Sequence, residues 1–165
     1  MISQRIQDIN PSATLAIAAK AKAMRKQGID VLSLSAGEPD FDTPDHIKNA
    51  AIQALHDGFT KYTPTSGIPE LRDAICVKLK TDNMLTYSQE NILVSNGAKQ
   101  AIYNIIQTLI NPGDEVLIPV PYWVSYPEMV KLAGGIPVLL PSGEDFKITA
   151  DTIYKYANLK TKLLI

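Results

Sequence analysis

The chain has 165 residues, of which 16 are basic and 17 acidic, so its formal net charge at pH 7 is −1. A charge this close to zero excludes electrostatic recruitment of nucleic acid or of an anionic membrane. Hydrophobic residues make up 45% of the sequence, but no apolar run is long enough to span a bilayer. Because the first residues also lack a signal-peptide pattern, we predict a cytoplasmic globular protein.

Helix start and stop signals divide the chain into alternating helices and strands. Ser12 predicts the start of a helix that ends near Gly28, the stretch after Thr43 predicts a second that ends near Gly58, and Pro69 opens a third. The later pattern predicts, in order, strand 92–95, helix 98–110, strand 115–120, helix 123–133, strand 136–140, a helix near 150–157 and a last strand. Such alternation is typical of an α/β fold with a mostly parallel sheet and flanking helices.

Two turn-rich loops interrupt the first half of the chain. The stretch Leu32–Pro44 crosses from a short apolar run into a Gly-Glu-Pro-Asp turn before the second helix. The stretch Phe59–Arg72 joins two helices by a long extended connection. Loops of that length inside compact domains are usually functional.

The segment Asn91–Ile102 passes from a short apolar run through one glycine, Gly97, into a helical pattern. Free N–H groups and the positive end of the helix dipole at such a helix start can bind a phosphate, and Gly97 would let the backbone approach it. The alternative is that this glycine serves only the turn. The chain has neither G-x-x-x-x-G-K-[ST] nor G-x-G-x-x-G, which disfavours ATP, GTP and NAD.

The only tryptophan, Trp123, lies between two prolines in Pro121–Pro127, just after the apolar run Val116–Val120. Residues past the end of a buried strand are where an open α/β sheet presents side chains to a ligand. The prolines restrict the segment, which suits stacking of the indole on a flat, conjugated cofactor. The alternative is that Trp123 only covers the edge of the core.

These four segments together resemble the class I aminotransferases of the pyridoxal-phosphate fold type I superfamily, most closely the bacterial aspartate aminotransferases. The resemblance covers nearly the whole chain. The matching motifs are Ser35–Phe41, Lys61–Pro64 with Gly67–Pro69, Ser95–Gln100 and Pro121–Pro127.

The resemblance implies pyridoxal 5'-phosphate as cofactor. Its phosphate would be bound by the N–H groups around Gly97, Ala98 and Lys99, and Trp123 would stack on its pyridine ring. Tyr62 matches the family tyrosine that reaches the partner subunit's phosphate, which implies a homodimer with shared active sites.

The resemblance also implies positions for the substrates, an amino acid and a 2-oxo acid. Gly37 would lie beside the substrate α-carboxylate, while Thr14 and Lys99 align with positions near the distal carboxylate of a dicarboxylic amino acid. A lysine there is a plausible countercharge. On general grounds Thr14 is equally well a helix-start residue and Lys99 a solvated cation.

By resemblance, residues 1–40 form the N-terminal arm and part of the small domain, and residues 41–165 begin the large cofactor domain. The family expects the lysine that forms the Schiff base, and the other catalytic groups, beyond Ile165. We therefore expect no catalytic residue in this stretch and no transamination by it alone.

The resemblance implies the N-terminal portion of an aminotransferase that transfers the amino group of aspartate to 2-oxoglutarate. Aromatic amino acid and prephenate aminotransferases share these motifs and remain alternatives. A noncatalytic remnant that binds phosphate compounds or a partner subunit is a third. We predict neither a metal nor a nucleic acid partner, since His46 and His56 have no ligand cluster around them and the single Cys76 reads as core packing.

Overall fold

The computed structural model describes residues 2–35 and 37–165, so Ala36 of the Ser35–Phe41 motif lies outside the described residues. Within them the chain separates into two compact units, the described part of 1–36 with 99–165, and 37–98. The helices are α1 Gln4–Gln7, α2 Ala13–Lys26, α3 Asp45–His56, α4 Pro69–Asn83, α5 Gly97–Leu109, α6 Ser125–Leu132 and α7 Ala150–Tyr156, and the strands are β1 Glu115–Val120, β2 Ile136–Pro141 and β3 Thr161–Leu164.

The first unit contains a parallel sheet in the order β2-β1-β3. Its central strand β1 buries Val116, Leu117 and Ile118 almost completely. Strands with a buried continuous apolar run are typical of parallel sheets covered by helices. Ile106 of α5 and Val130 of α6 are fully buried in the same core. The predicted α/β class is therefore confirmed.

Capping residues determine where the helices begin, as the sequence predicts. The Ser12 hydroxyl accepts a hydrogen bond from the Leu15 N–H at 3.3 Å, which satisfies one of the free donors at the start of α2. Helix α4 has Pro69 in its first turn, where a missing N–H costs nothing. Helices α2, α3, α4 and α7 all lie where they are predicted.

The second unit holds α3 and α4, joined by an irregular stretch in which Gly67 has a φ of +102°. The Val94 N–H donates to the Ser66 carbonyl at 3.0 Å, so this stretch is bonded to the segment that leads into α5. A Cβ on Gly67 would lie 2.5 Å from Cγ2 of Val94. Glycine is thus required here both by the backbone conformation and by the close approach.

Three details differ from the sequence predictions. The predicted strand 92–95 is wrong: the segment is extended, but no ladder of strand pairing forms there among the residues that the structure describes. Helix α6 begins at Ser125, two residues later than predicted, because Trp123 stays in the preceding turn. The sequence pattern predicts neither α1 nor the 3-10 helix at Gln89–Asn91. The predicted domain boundary after residue 40 stays a prediction.

Candidate functional site

The first turn of α5 has the backbone conformation of an anion site. Gly97 has a φ of +77°, and a Cβ built on it would meet nothing within 4 Å, so the space in front of the turn is open. Its own N–H donates to the Ser95 carbonyl at 2.8 Å. Helix geometry leaves the following N–H groups without partners inside the helix, and the helix dipole makes this end positive.

A buried hydroxyl lies next to this turn in the sequence. The Ser95 Oγ has almost no solvent contact and no hydrogen-bond partner among the described residues. A buried, unsatisfied hydroxyl costs about 1–3 kcal/mol, so such groups usually have a partner in the functional state. The hydroxyl and the open glycine turn fit a bound phosphate, whose oxygens accept hydrogen bonds from both kinds of donor.

Trp123 follows β1 in a turn and is held by a hydrogen bond. Its indole Nε1 donates to the Ser125 hydroxyl at 2.8 Å, which fixes the orientation of the ring. Trp123 is still 53% exposed, so more than half of its surface does not cover the edge of the core. An oriented, exposed indole is suited to stacking on a flat ring.

The positively charged Lys99 side chain lies over the Trp123 ring. Its Nζ lies 5.6 Å from the centroid of the Trp123 ring, within the range of a cation–π interaction. Lys99 lies in the first turn of α5, and both Lys99 and Trp123 belong to the first unit, whereas Gly97 and Ala98 belong to the second. These two predicted site residues are the ones that the structure brings into contact.

Tyr62 and Gly37 belong to the second unit and Thr14 to the first, and each is described within its own unit. Tyr62 is fully exposed in the second unit, where Gly37 is also exposed, with open space around its Cα. Thr14 is the second residue of α2 and is half-buried, and no hydrogen bond joins it to Lys99 in the described part of the chain. Their predicted roles therefore stay predictions.

Sequence reasoning missed the residues that support the site. Ser125 is two positions after Trp123, a spacing at which a hydroxyl can bond the indole, but no pattern singled it out. Glu128 was missed as well: its carboxylate accepts from the backbone and the side-chain amide of Asn10, both at 3.1 Å, and from Lys131 at 3.1 Å. Asn10 and Glu128 are 118 residues apart, so no local signal could pair them.

The Glu128 carboxylate attaches the N-terminal segment to α6. Its side chain is only 19% exposed. Burial by itself raises the pKa of Glu128, but the hydrogen bonds from Asn10 and the hydrogen bond and charge of Lys131 outweigh burial and lower that pKa below its ordinary value of 4.5. The ionised form is therefore the one that the folded state stabilises.

The Glu128→Gln substitution should make stability less dependent on pH. Because the folded-state pKa is lowered, the charge stabilises the fold above the ordinary pKa of 4.5 and this contribution disappears as the pH falls through the lower folded value. We expect the variant to lose about 1 kcal/mol of unfolding free energy at neutral pH and progressively less on acidification, measured by urea denaturation.

The exposed Glu144 provides the control, because Glu144→Gln removes a carboxylate without a hydrogen bond among the described residues. It should match the parent protein at every pH. A loss for Glu128→Gln that stays constant on acidification would show that the charge is not what stabilises this attachment.

The described residues contain no group of three or more His, Cys, Asp or Glu side chains placed to hold a metal ion. No helix in that part of the chain is long and apolar enough to cross a membrane.

A parallel sheet whose central strand is followed by an oriented, exposed tryptophan is typical of α/β domains that bind ligands at the carboxyl ends of their strands. The family model described as aminotransferase class I and II matches residues 29–165. The chain belongs to the class I and II aminotransferase family.

Its relatives include an aspartate aminotransferase of Bacillus sp. (strain YM-2), 52% identical, with 100% of this chain and 43% of the relative covered. A probable aspartate/prephenate aminotransferase of Rickettsia bellii is 51% identical, with 100% and 42% covered. Among solved structures, the aspartate aminotransferase from Thermus thermophilus with maleate has a TM-score of 0.96 and 46% identity, with 99% of this chain and 44% of that chain covered. The chain thus spans less than half the length of these relatives.

Proposed function

We propose that the full protein containing this chain is a pyridoxal-phosphate-dependent aminotransferase that transfers the amino group of aspartate to 2-oxoglutarate. Membership in the aminotransferase family supports the reaction class. The names of the relatives, which act on aspartate or on aspartate and prephenate, support the substrate. The observation that carries the proposal is the Lys99 ammonium over the exposed Trp123 ring at the first turn of α5.

The residues of this chain fit the two ends of the cofactor. For the phosphate, Gly97 gives an open turn, and the N–H groups of Ala98 and Lys99 come next in the helix, where intrahelical acceptors are missing. The unpartnered Ser95 hydroxyl adds a donor beside that turn. For the ring, the oriented and exposed Trp123 offers a flat apolar face.

When bound, pyridoxal phosphate supplies the conjugated ring that takes up electron density from the α-carbon of the amino acid. The work of this chain is binding and orientation. The α5 turn would hold the phosphate, and Trp123 would restrict the tilt of the ring, with its indole kept in place by Ser125.

The second part of the proposal is a cytoplasmic homodimer with shared active sites. Tyr62 supports the homodimer. A fully exposed tyrosine on a loop is available to a neighbouring subunit, and its hydroxyl could donate to the partner's cofactor phosphate. Exposed tyrosines are enriched at protein interfaces because the ring is apolar and the hydroxyl bonds.

Specificity for a dicarboxylic substrate would come from Thr14 and Lys99, which would receive the distal carboxylate, with Gly37 beside the α-carboxylate. Lys99 supplies an exposed cation whose Nζ is engaged by a ring and by no carboxylate in the described residues. The Thermus relative was solved with maleate, a dicarboxylate, which agrees with this choice.

The second candidate is an aromatic amino acid as the amino donor, or prephenate as the 2-oxo acid that accepts the amino group. The Rickettsia relative named for both aspartate and prephenate favours keeping it. Both compounds carry a ring or a second carboxylate that an exposed cation and an indole could contact.

The test compares kcat/KM of the full protein for aspartate and phenylalanine as amino donors, and for 2-oxoglutarate and prephenate as amino acceptors. We expect aspartate and 2-oxoglutarate to be preferred, and Lys99→Ala to reduce kcat/KM for aspartate by about 10- to 100-fold, since a charge-assisted contact is worth about 1.5–3 kcal/mol. Lys155→Ala is the matched control, because Lys155 also lies over an aromatic ring, at 5.9 Å from the Tyr156 centroid, but on α7.

A clear preference for phenylalanine would replace aspartate as the proposed donor, and a clear preference for prephenate would replace 2-oxoglutarate as the proposed acceptor. The absence of turnover with every donor and acceptor pair would point to the noncatalytic alternative.

A further inference from the structure

The loop that carries Tyr62 forms hydrogen bonds within its own unit at both of its ends, but the Tyr62 side chain in its middle forms none among the described residues. We define the Tyr62 loop as residues 59–68, between the end of α3 and the start of α4. Tyr62 is fully exposed, and its side chain has no hydrogen bond in the described part of the chain. The position of its hydroxyl therefore depends on how firmly the backbone on each side is held.

The first end continues directly from α3. The Phe59 N–H donates to the Ala54 carbonyl at 2.9 Å and the Thr60 N–H donates to the Gly58 carbonyl at 2.7 Å. These are local bonds of the kind that end a helix, and they fix the direction in which the loop leaves it.

The second end is held by contacts from more distant residues, centred on Ser66. The Ser66 carbonyl accepts from the Val94 N–H at 3.0 Å, and the Ser66 hydroxyl accepts from Nη1 of Arg72 at 2.6 Å. The Gly67 N–H donates back to the Pro64 carbonyl at 2.9 Å, which closes a turn beside Ser66. One serine thus connects the loop to α4 and to the segment before α5.

Arg72 is unusual because its guanidinium forms no ion pair with a carboxylate among the described residues. Its Nη2 donates to the Gln89 side-chain oxygen at 3.4 Å, and no carboxylate lies within ion-pair distance in the described residues. Its Nε is buried without a partner. The short bond to Ser66 is therefore the strongest contact that this guanidinium makes here, since a charged donor strengthens a hydrogen bond.

We propose that Arg72 and Ser66 are positioning residues for Tyr62. Through the Ser66 hydroxyl, Arg72 fixes the second end of the loop and so holds the tyrosine where it reaches the partner subunit's cofactor phosphate. This inference rests on the proposed function for the role of Tyr62. The new element of the inference is that Arg72 and Ser66 of the same subunit hold the tyrosine in its binding position.

A double-mutant cycle on the full protein tests the proposal, with the dissociation constant of pyridoxal phosphate as readout. We expect Ser66→Ala and Tyr62→Phe each to weaken cofactor binding by about tenfold, equivalent to one hydrogen bond of about 1.4 kcal/mol. In the Tyr62→Phe background, Ser66→Ala should cost little more, because there is no hydroxyl left to position.

A second readout needs no cofactor. Hydrogen–deuterium exchange of the backbone N–H groups in residues 59–68 of the apoprotein should be faster in Ser66→Ala, because the loop is then held less firmly at its second end. Thr81→Ala is the matched control: it removes a hydroxyl from the same helix as Arg72, where Thr81 bonds only within α4 and to its neighbour Asp82.

The outcomes separate this inference from the proposed function. Additive losses in the cycle, unchanged cofactor affinity in Ser66→Ala, or faster exchange with unchanged affinity would each overturn the positioning role while leaving the proposed cofactor in place. A parent protein that does not bind pyridoxal phosphate would overturn both.

Discussion

Trp123→Ala should weaken the binding of pyridoxal phosphate to the full protein by about 5- to 150-fold, because a stacked aromatic contact is worth about 1–3 kcal/mol. The ring is exposed and oriented by Ser125, so its removal takes away a contact surface that is already in place. Trp123→Phe should retain most of the affinity, since a phenyl ring can still stack. Cofactor titration followed by absorbance measures both.

Tyr154→Ala controls for the loss of an exposed aromatic side chain. Tyr154 lies on α7 in the same unit and is 79% exposed, without a predicted role. Its replacement should leave cofactor affinity unchanged. Equal affinities for Trp123→Ala and the parent protein would assign Trp123 to the core edge, the alternative that the sequence left open.

Gly67→Ala should destabilise the full protein by about 2–5 kcal/mol. A non-glycine residue at a φ of +102° is strained, and the new Cβ would lie 2.5 Å from Cγ2 and 2.9 Å from Cβ of Val94. The overlap cannot be relieved by rotating a long flexible side chain, because Val94 is short and β-branched. Chemical denaturation gives the loss directly.

Two variants separate the two causes of that loss. Gly58→Ala places a Cβ at a φ of +75° with nothing within 4 Å, so it should cost only about 1–2 kcal/mol. Combining Gly67→Ala with Val94→Ala removes Cγ2 of the valine and should recover part of the stability. If Gly58→Ala and Gly67→Ala cost the same, close packing against Val94 is not the cause.

The helices were predictable because single residues at their ends determine where they begin and end. Ser12 as a cap, Pro69 in a first turn and Gly28 after a last turn act locally, so the sequence predicts them without knowledge of the rest of the fold. The buried apolar run of β1 is similarly local. Strand 92–95 was mispredicted because a strand is defined by the strands that pair with it. In this segment the Val94 N–H bonds to the Ser66 carbonyl of a loop instead of to a neighbouring strand.

The candidate site residues were chosen from residue types near each other in the chain, and their roles stay predictions. The turn at Gly97 and the tryptophan between two prolines are such features, and the structure adds the contact between Lys99 and Trp123. The bonds between Asn10 and Glu128 and between Arg72 and Ser66 depend on tertiary packing. Nothing in their spacing distinguishes these polar residues from solvated ones, so only the structure pairs them.

The most direct test of the proposed function follows the amino group itself. The purified full protein, loaded with pyridoxal phosphate, is given aspartate labelled with heavy nitrogen together with unlabelled 2-oxoglutarate, and the products are analysed by mass spectrometry. We expect the label to appear in glutamate as oxaloacetate forms in equal amount. Label that remains on aspartate, with no labelled glutamate, would contradict the proposed function.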